Sequence, residues 1–106
     1  MMNMKYKVSV ITPFHNVDMQ MFGKCTESVK RQSIGFGNIE WVIVIHNCDP
    51  GYFESVSSMF ADYPNVIVRD LNNDARTPSS PRNFGTSLAS GLYVGYLDAD
   101  DSYTPD

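Results

Sequence analysis

Three carboxylates, Asp98, Asp100 and Asp101, stand within four positions, directly after an apolar run that contains Leu92, Val94, Tyr96 and Leu97. Ionised carboxylates this close repel one another and resist desolvation, so a cation shared by some or all of them is the economical reason for grouping them. No Cys or His stands beside them, and an all-oxygen donor set favours Mg²⁺ or Mn²⁺ over zinc. The plain alternative is a strand-ending turn, for which Asp and Ser are ordinary residues. A second candidate is Arg82, just after Ser80-Pro81. There the start of a helix is expected, and free N–H groups and the helix dipole already favour an anion. Its alternative is a surface arginine paired with Asp98 or Asp74. Further polar clusters are Pro13-Phe14-His15-Asn16, His46-Asn47-Cys48-Asp49 and Asn72-Asn73-Asp74. His15, His46 and Cys48 together suggest zinc, but their spacing matches no zinc motif.

The elements that must position these groups alternate between strand and helix. Val8 to Thr12 reads as a strand buried on both faces, ended by Pro13, which supplies no ladder donor. From Asp18 to Gln32 the residues Met21, Phe22, Cys25 and Val29 recur at helical spacing. Trp41 to Ile45 is a second buried strand. Asp49-Pro50 has the form of an N-cap followed by proline, opening a helix that buries Phe53, Val56, Met59 and Phe60 and closes at Pro64-Asn65. Val66 to Val68 makes a third strand, and the polar stretch from Asp70 to Ser80 is a loop long enough to be functional or mobile. Ser80-Pro81 repeats the cap-then-proline pattern before a helix that buries Phe84, Leu88 and Ala89 and ends at Gly91. The run before the aspartates is the fourth strand.

Such alternation gives right-handed crossovers and an α/β fold, an open parallel sheet with helices on both faces. Ligands of these sheets bind outside the carboxyl ends of the strands. Each polar cluster named above falls at one of those ends, so a single edge of the sheet is expected to carry the chemistry.

With 106 residues, 42% of them hydrophobic, the chain can build the core of one domain. A formal net charge of −4 and scattered basic residues disfavour nucleic acid or an anionic membrane as the main partner. Cys25 and Cys48 make no disulfide framework, and reduced packing thiols are expected. The apolar run from Val8 to Ile11 is too short for a signal peptide or a membrane span. A cytoplasmic protein is expected, with peripheral attachment to the inner membrane face left open.

Three segments together resemble the N-terminal half of a family 2, GT-A type glycosyltransferase. They are Val8-Ser-Val-Ile-Thr-Pro-Phe-His-Asn16, Pro81-Arg82-Asn83-Phe84-Gly85 with Ala89 and Gly91 behind it, and Tyr96-Leu-Asp-Ala-Asp-Asp101. The likeness runs from about residue 8 to the last residue. It implies four strands in the order 3-2-1-4 and transfer of a sugar, with inversion, from a nucleotide-diphosphate donor to an acceptor glycan or lipid-linked sugar. Asp98 and Asp100 match the family's Asp-x-Asp motif around Ala99. The resemblance makes Asp100 the direct ligand of Mn²⁺ or Mg²⁺ and puts Asp98 nearer the ribose or a metal-bound water. Asp101 caps the next turn or orients the site. The same likeness makes Arg82 a donor contact and matches Pro13 and Asn16 to a strand exit whose backbone lies beside the base and ribose; packing on the base is one of several roles open to Phe14, an aromatic at that loop. Where the family carries an acidic pair after the second strand, this chain has His46-Asn47, which can donate and accept but lacks a carboxylate's charge-assisted bond. In the family the general base follows the Asp-x-Asp motif, and nothing up to Pro105-Asp106 serves as one. The expectation is therefore an incomplete domain, residues 1–106, holding the donor and metal half, inactive alone and prone to self-association through an uncovered sheet edge. A noncatalytic nucleotide- or metal-binding module of the same fold is the alternative.

Overall fold

In the computed structural model, which describes residues 6–77 and 79–103, four strands form one sheet: β1 (Val8–Phe14), β2 (Ile39–His46), β3 (Val66–Leu71) and β4 (Tyr93–Tyr96). Their order is β3-β2-β1-β4 and every pairing is parallel. The leading methionine-rich segment and the closing Pro105-Asp106 lie outside the described residues.

The side-chain period of two along β2 assigns the helices to faces. Ile39, Trp41, Ile43 and Ile45 join Val10 and Phe14 of β1 on one face. Against them pack Phe22, Cys25 and Val29 of α1 (Met19–Lys30) and Val56 of α2 (Tyr52–Met59), followed by Phe60. On the other face Val42, Val44 and Ile11 meet Phe84 and Leu88 of α3 (Ser79–Leu88) and the following Ala89. Gly85 brings α3 close, since a Cβ there would lie 2.4 Å from Ile11 Cγ2.

The amino edge of the sheet is tied by a buried carboxylate. Glu40 Oε1 accepts from Ser9 Oγ and from the Ser90 amide, each at 2.8 Å, and Oε2 accepts from Ser90 Oγ. Ser9 Oγ in turn accepts the Gly91 amide at 2.8 Å. These bonds fix where the chain leaves α3 and enters β4.

Several local expectations are corrected. Pro13 does not end β1, which continues through Pro13↔Val44 and Phe14↔Ile45. The Ile11 carbonyl faces β4, accepting from Leu97 N–H, and residue 13 has the same orientation. Pro13 therefore turns its missing donor towards a side where β4 pairing has already stopped at Tyr96. Asp18 caps α1, its carboxylate accepting from Gln20 N–H at 2.7 Å, but Met21 is 41% exposed. Asp49 does not cap α2; Gly51, left-handed at φ 97°, takes that position, and the helix ends at Met59 rather than at Pro64-Asn65. Asn65 is buried instead, donating to the carbonyls of Phe36 and Ile39. Met59 is exposed as well. In α3 both Ser79 and Ser80 are helical, so Pro81 sits within the first turn, where its missing N–H leaves no bond unmade.

Candidate functional site

The carboxyl edge of the sheet opens into a cleft of about 960 Å³. Pro13 and Phe14 from the end of β1, His46 and Asn47 from the end of β2, and Asp98, Ala99 and Asp100 beyond β4 line it together. Two contacts hold the acidic turn there. Leu97 N–H donates to the Ile11 carbonyl at 3.0 Å, and Asp101 N–H closes a turn onto the Asp98 carbonyl at 3.0 Å. Ala99 is buried against the core at the base of the cleft, while Asp98 is partly exposed and Asp100 exposed along its lining. Asp101 is exposed and does not line it.

Arg82 reaches Asp98 from the first turn of α3, its Nη2 donating to Oδ1 at 2.9 Å. The pair is partly exposed, and Arg82 Nε is buried without a partner among the described residues. The surface-pairing alternative for Arg82 is thus realised with Asp98, and it sets a cation beside the carboxylate it would share with a ligand.

The residues at the β1 and β2 exits divide by what their side chains are already doing. Phe14 is fully buried, its ring edge-on to Phe22 at 5.0 Å and near Tyr52 at 5.5 Å, so only its backbone can meet a ligand. Asn16, at φ 47°, is outside the lining; its N–H donates to Cys48 Sγ and its Oδ1 accepts the Asp49 amide at 2.9 Å. It latches one strand exit to the next. Asn47, at φ 51°, is a latch of the same kind: Oδ1 accepts from Asn73 N–H at 2.8 Å and Nδ2 donates to the Ala75 carbonyl at 3.0 Å. His46 is buried, with Nε2 2.8 Å from Asn73 Oδ1, while its carbonyl is 2.8 Å from His15 Nδ1.

A further wall of the cleft is formed by Asn73, Asp74, Ala75, Arg76 and Thr77, from the loop after β3. The polar cluster Asn72-Asn73-Asp74 marked this loop in the sequence, whereas Ala75, Arg76 and Thr77 carried no signal beyond a polar stretch too long to be a mere connection. Asn73 organises this segment: Oδ1 accepts the Ala75 amide at 3.1 Å, and Nδ2 donates to Ser80 Oγ at 2.8 Å.

Behind the acidic turn lies Cys25, whose Sγ is 3.8 Å from the Asp98 carbonyl. Burial, with added repulsion from Asp101, Asp100 and Asp98, pushes its thiol up to about 12. It is a protonated packing group. Cys48 is raised as well, chiefly by burial, and both cysteines are free. Among the described residues no three His, Cys, Asp or Glu side chains are grouped to hold a metal by themselves.

The family model for glycosyl transferase family 2 matches residues 9–106. The chain belongs to that family. It is 37% identical over 97 residues to the minor teichoic acid biosynthesis protein GgaB of Bacillus subtilis (strain 168), covering 91% of this chain and 10% of that protein. It is 33% identical to the uncharacterized glycosyltransferase YibD of Escherichia coli (strain K12), covering 99% of this chain and 29% of that one. The crystal structure of S. aureus TarS superposes with a TM-score of 0.81 at 25% identity, over 94% of this chain and 18% of that one. The chain therefore spans less than a third of the length of each of these relatives. Its four-stranded parallel sheet in the order 3-2-1-4 is the one the resemblance implied.

Proposed function

We propose that this chain is the donor-binding part of a glycosyltransferase that moves a sugar, with inversion, from a nucleotide diphosphate to an acceptor hydroxyl. The observation that carries the reading is the meeting, in one cleft, of the β1 and β2 exits with the Asp98 and Asp100 carboxylates, Arg82 being paired to Asp98. A nucleoside lies along the strand exits in this reading, and its diphosphate reaches the acidic turn.

A divalent cation fits the donor set. Asp98 Oδ1 is engaged by Arg82, which leaves Oδ2 and the exposed Asp100 as hard oxygen donors, and Mg²⁺ characteristically combines one or two carboxylates with substrate phosphates. Asp98 and Asp100 would hold Mn²⁺ or Mg²⁺. When bound, the ion would neutralise charge on the leaving diphosphate. Arg82 adds a fixed positive charge on the same side.

Uridine diphosphate is the donor nucleotide to try first, because TarS crystallises with UDP and with UDP-GlcNAc over a matching region. GgaB and TarS, the latter a poly(ribitol-phosphate) β-N-acetylglucosaminyltransferase, point to a surface polysaccharide as the acceptor class. We place the general base and acceptor site in sequence beyond the acidic turn and the activity in the cytoplasm, at or near the membrane. No helix among the described residues is long and apolar enough to cross a membrane. Calorimetric titration with UDP in Mn²⁺ tests the reading. Binding should need the metal and should vanish in Asp100→Ala; metal-independent binding that survives the substitution would refute the metal assignment.

A further inference from the structure

At the β2 exit His46 and Asn47 line the cleft and Asp49 does not, so no carboxylate there meets a nucleobase, and the amides along this wall are already engaged. Asn47 uses both ends of its amide to hold the 73–75 backbone. Asn73 uses Oδ1 on Ala75 and His46, and Nδ2 on Ser80. Thr77 Oγ1 is 2.8 Å from Ser79 Oγ. Along this wall Asp74 and Arg76 line the cleft, are exposed, and have no partner among the described residues.

We propose that Asp74 is the specificity residue for the base, its carboxylate accepting the ring N–H of a uracil-type nucleobase in place of an acid at the β2 exit. The inference rests on the donor-binding reading above. Three features support it. Among the described residues, Asp74 is the one acidic side chain lining the cleft other than Asp98 and Asp100, which lie beyond β4. It stands between two residues, Asn73 and Ala75, whose backbone is bonded to Asn47, so the Asn47 latch fixes the stretch of chain that carries it along the cleft. Arg76, two positions on, can donate to a carbonyl flanking the same N–H. The acceptor-donor-acceptor edge of uracil complements a carboxylate set beside a guanidinium. The base would thus be read from the loop after β3, and Asn47 becomes a positioning residue.

The experiment compares UDP, N3-methyl-UDP and inorganic pyrophosphate, each titrated with Mn²⁺ into the chain and into Asp74→Asn. A charge-assisted hydrogen bond corresponds to roughly tenfold or more in affinity. Asp74→Asn should weaken UDP by about that factor and leave pyrophosphate unchanged. N3-methyl-UDP, which has no ring N–H, should bind both proteins equally. Equal UDP affinity in the two proteins overturns the assignment while leaving the diphosphate site standing. Failure of pyrophosphate and UDP alike to bind in the presence of Mn²⁺ overturns the donor-binding reading itself, and this inference with it. Asp74 is exposed and makes no described bond, so the substitution leaves the fold intact, which a thermal melt confirms.

Discussion

Replacing Gly85 with alanine should damage both the fold and the site. A Cβ at residue 85 would stand 2.4 Å from Ile11 Cγ2 and 3.4 Å from Val44 Cγ2. An ordinary contact is at least 3.4 Å, so α3 and the sheet must separate by about 1 Å or Ile11 must leave its rotamer. Ile11 is fully buried, and overpacking of this kind costs about 1–3 kcal/mol. With a urea m-value of about 1–3 kcal/mol/M for a small domain, the midpoint should fall by roughly 1 M. Because α3 carries Arg82, the same displacement should loosen the Arg82–Asp98 pair and weaken Mn²⁺-dependent UDP binding. Urea denaturation followed by tryptophan fluorescence reads the first effect through Trp41, and calorimetry reads the second. In the double variant with Ile11→Ala, room for the new methyl should make the loss smaller than the sum of the single losses. An unchanged midpoint in Gly85→Ala, or strictly additive losses, would refute the close-approach reasoning.

Arg82→Ala should weaken pyrophosphate and UDP alike in Mn²⁺ titrations, by about tenfold, because it removes a charge near the diphosphate rather than a base contact. Asn47→Ala frees the 73–75 backbone and should lower UDP affinity several-fold in the same assay while sparing pyrophosphate. Maleimide at pH 8 should leave Cys25 unmodified in the native protein and label it in urea, as mass spectrometry of the alkylated peptides would show. The raised Cys25 thiol also makes stability pH-dependent: below its ordinary value of 9.0 both folded and unfolded states hold the proton, and above it only the folded state does. Stability should therefore decline from about pH 9 towards pH 12, less steeply in Cys25→Ala, which parallel urea titrations would detect.

The strands were legible because β1 and β2 are buried on both faces and read as near-continuous apolar runs, unbroken from Trp41 to Ile45. The capped, amphipathic α1 was legible for a similar reason, Asp18 and the Phe22, Cys25, Val29 stripe being local signals. Met21 and Met59 misled because an apolar residue on the flank of a stripe looks the same whether or not the sheet reaches it. Pro13 misled because sequence does not say that the neighbouring strand stops two residues earlier. In the site, the placement of Asp98 and Asp100 followed from their position after a strand. The roles of Phe14, Asn16 and Asn47 did not. Each is committed to partners 8 to 38 residues away in the chain, and such partners emerge only from the fold. Asn16 and Asn47 share a left-handed backbone that asparagine tolerates, which makes them natural latches at strand exits.

Beyond the acidic turn, Tyr103 donates its hydroxyl to the Tyr96 carbonyl at 2.8 Å, and its amide donates to Ser28 Oγ of α1 at 3.1 Å. The segment from Leu97 to Tyr103 is thereby moored at both ends, to β1 at its start and to α1 and β4 at its finish. A loop so moored has few conformations to surrender when a ligand arrives, so its carboxylates would meet a cation with little ordering entropy to overcome. Cutting either mooring should slow or weaken capture of a cation without touching a single atom proposed to hold it.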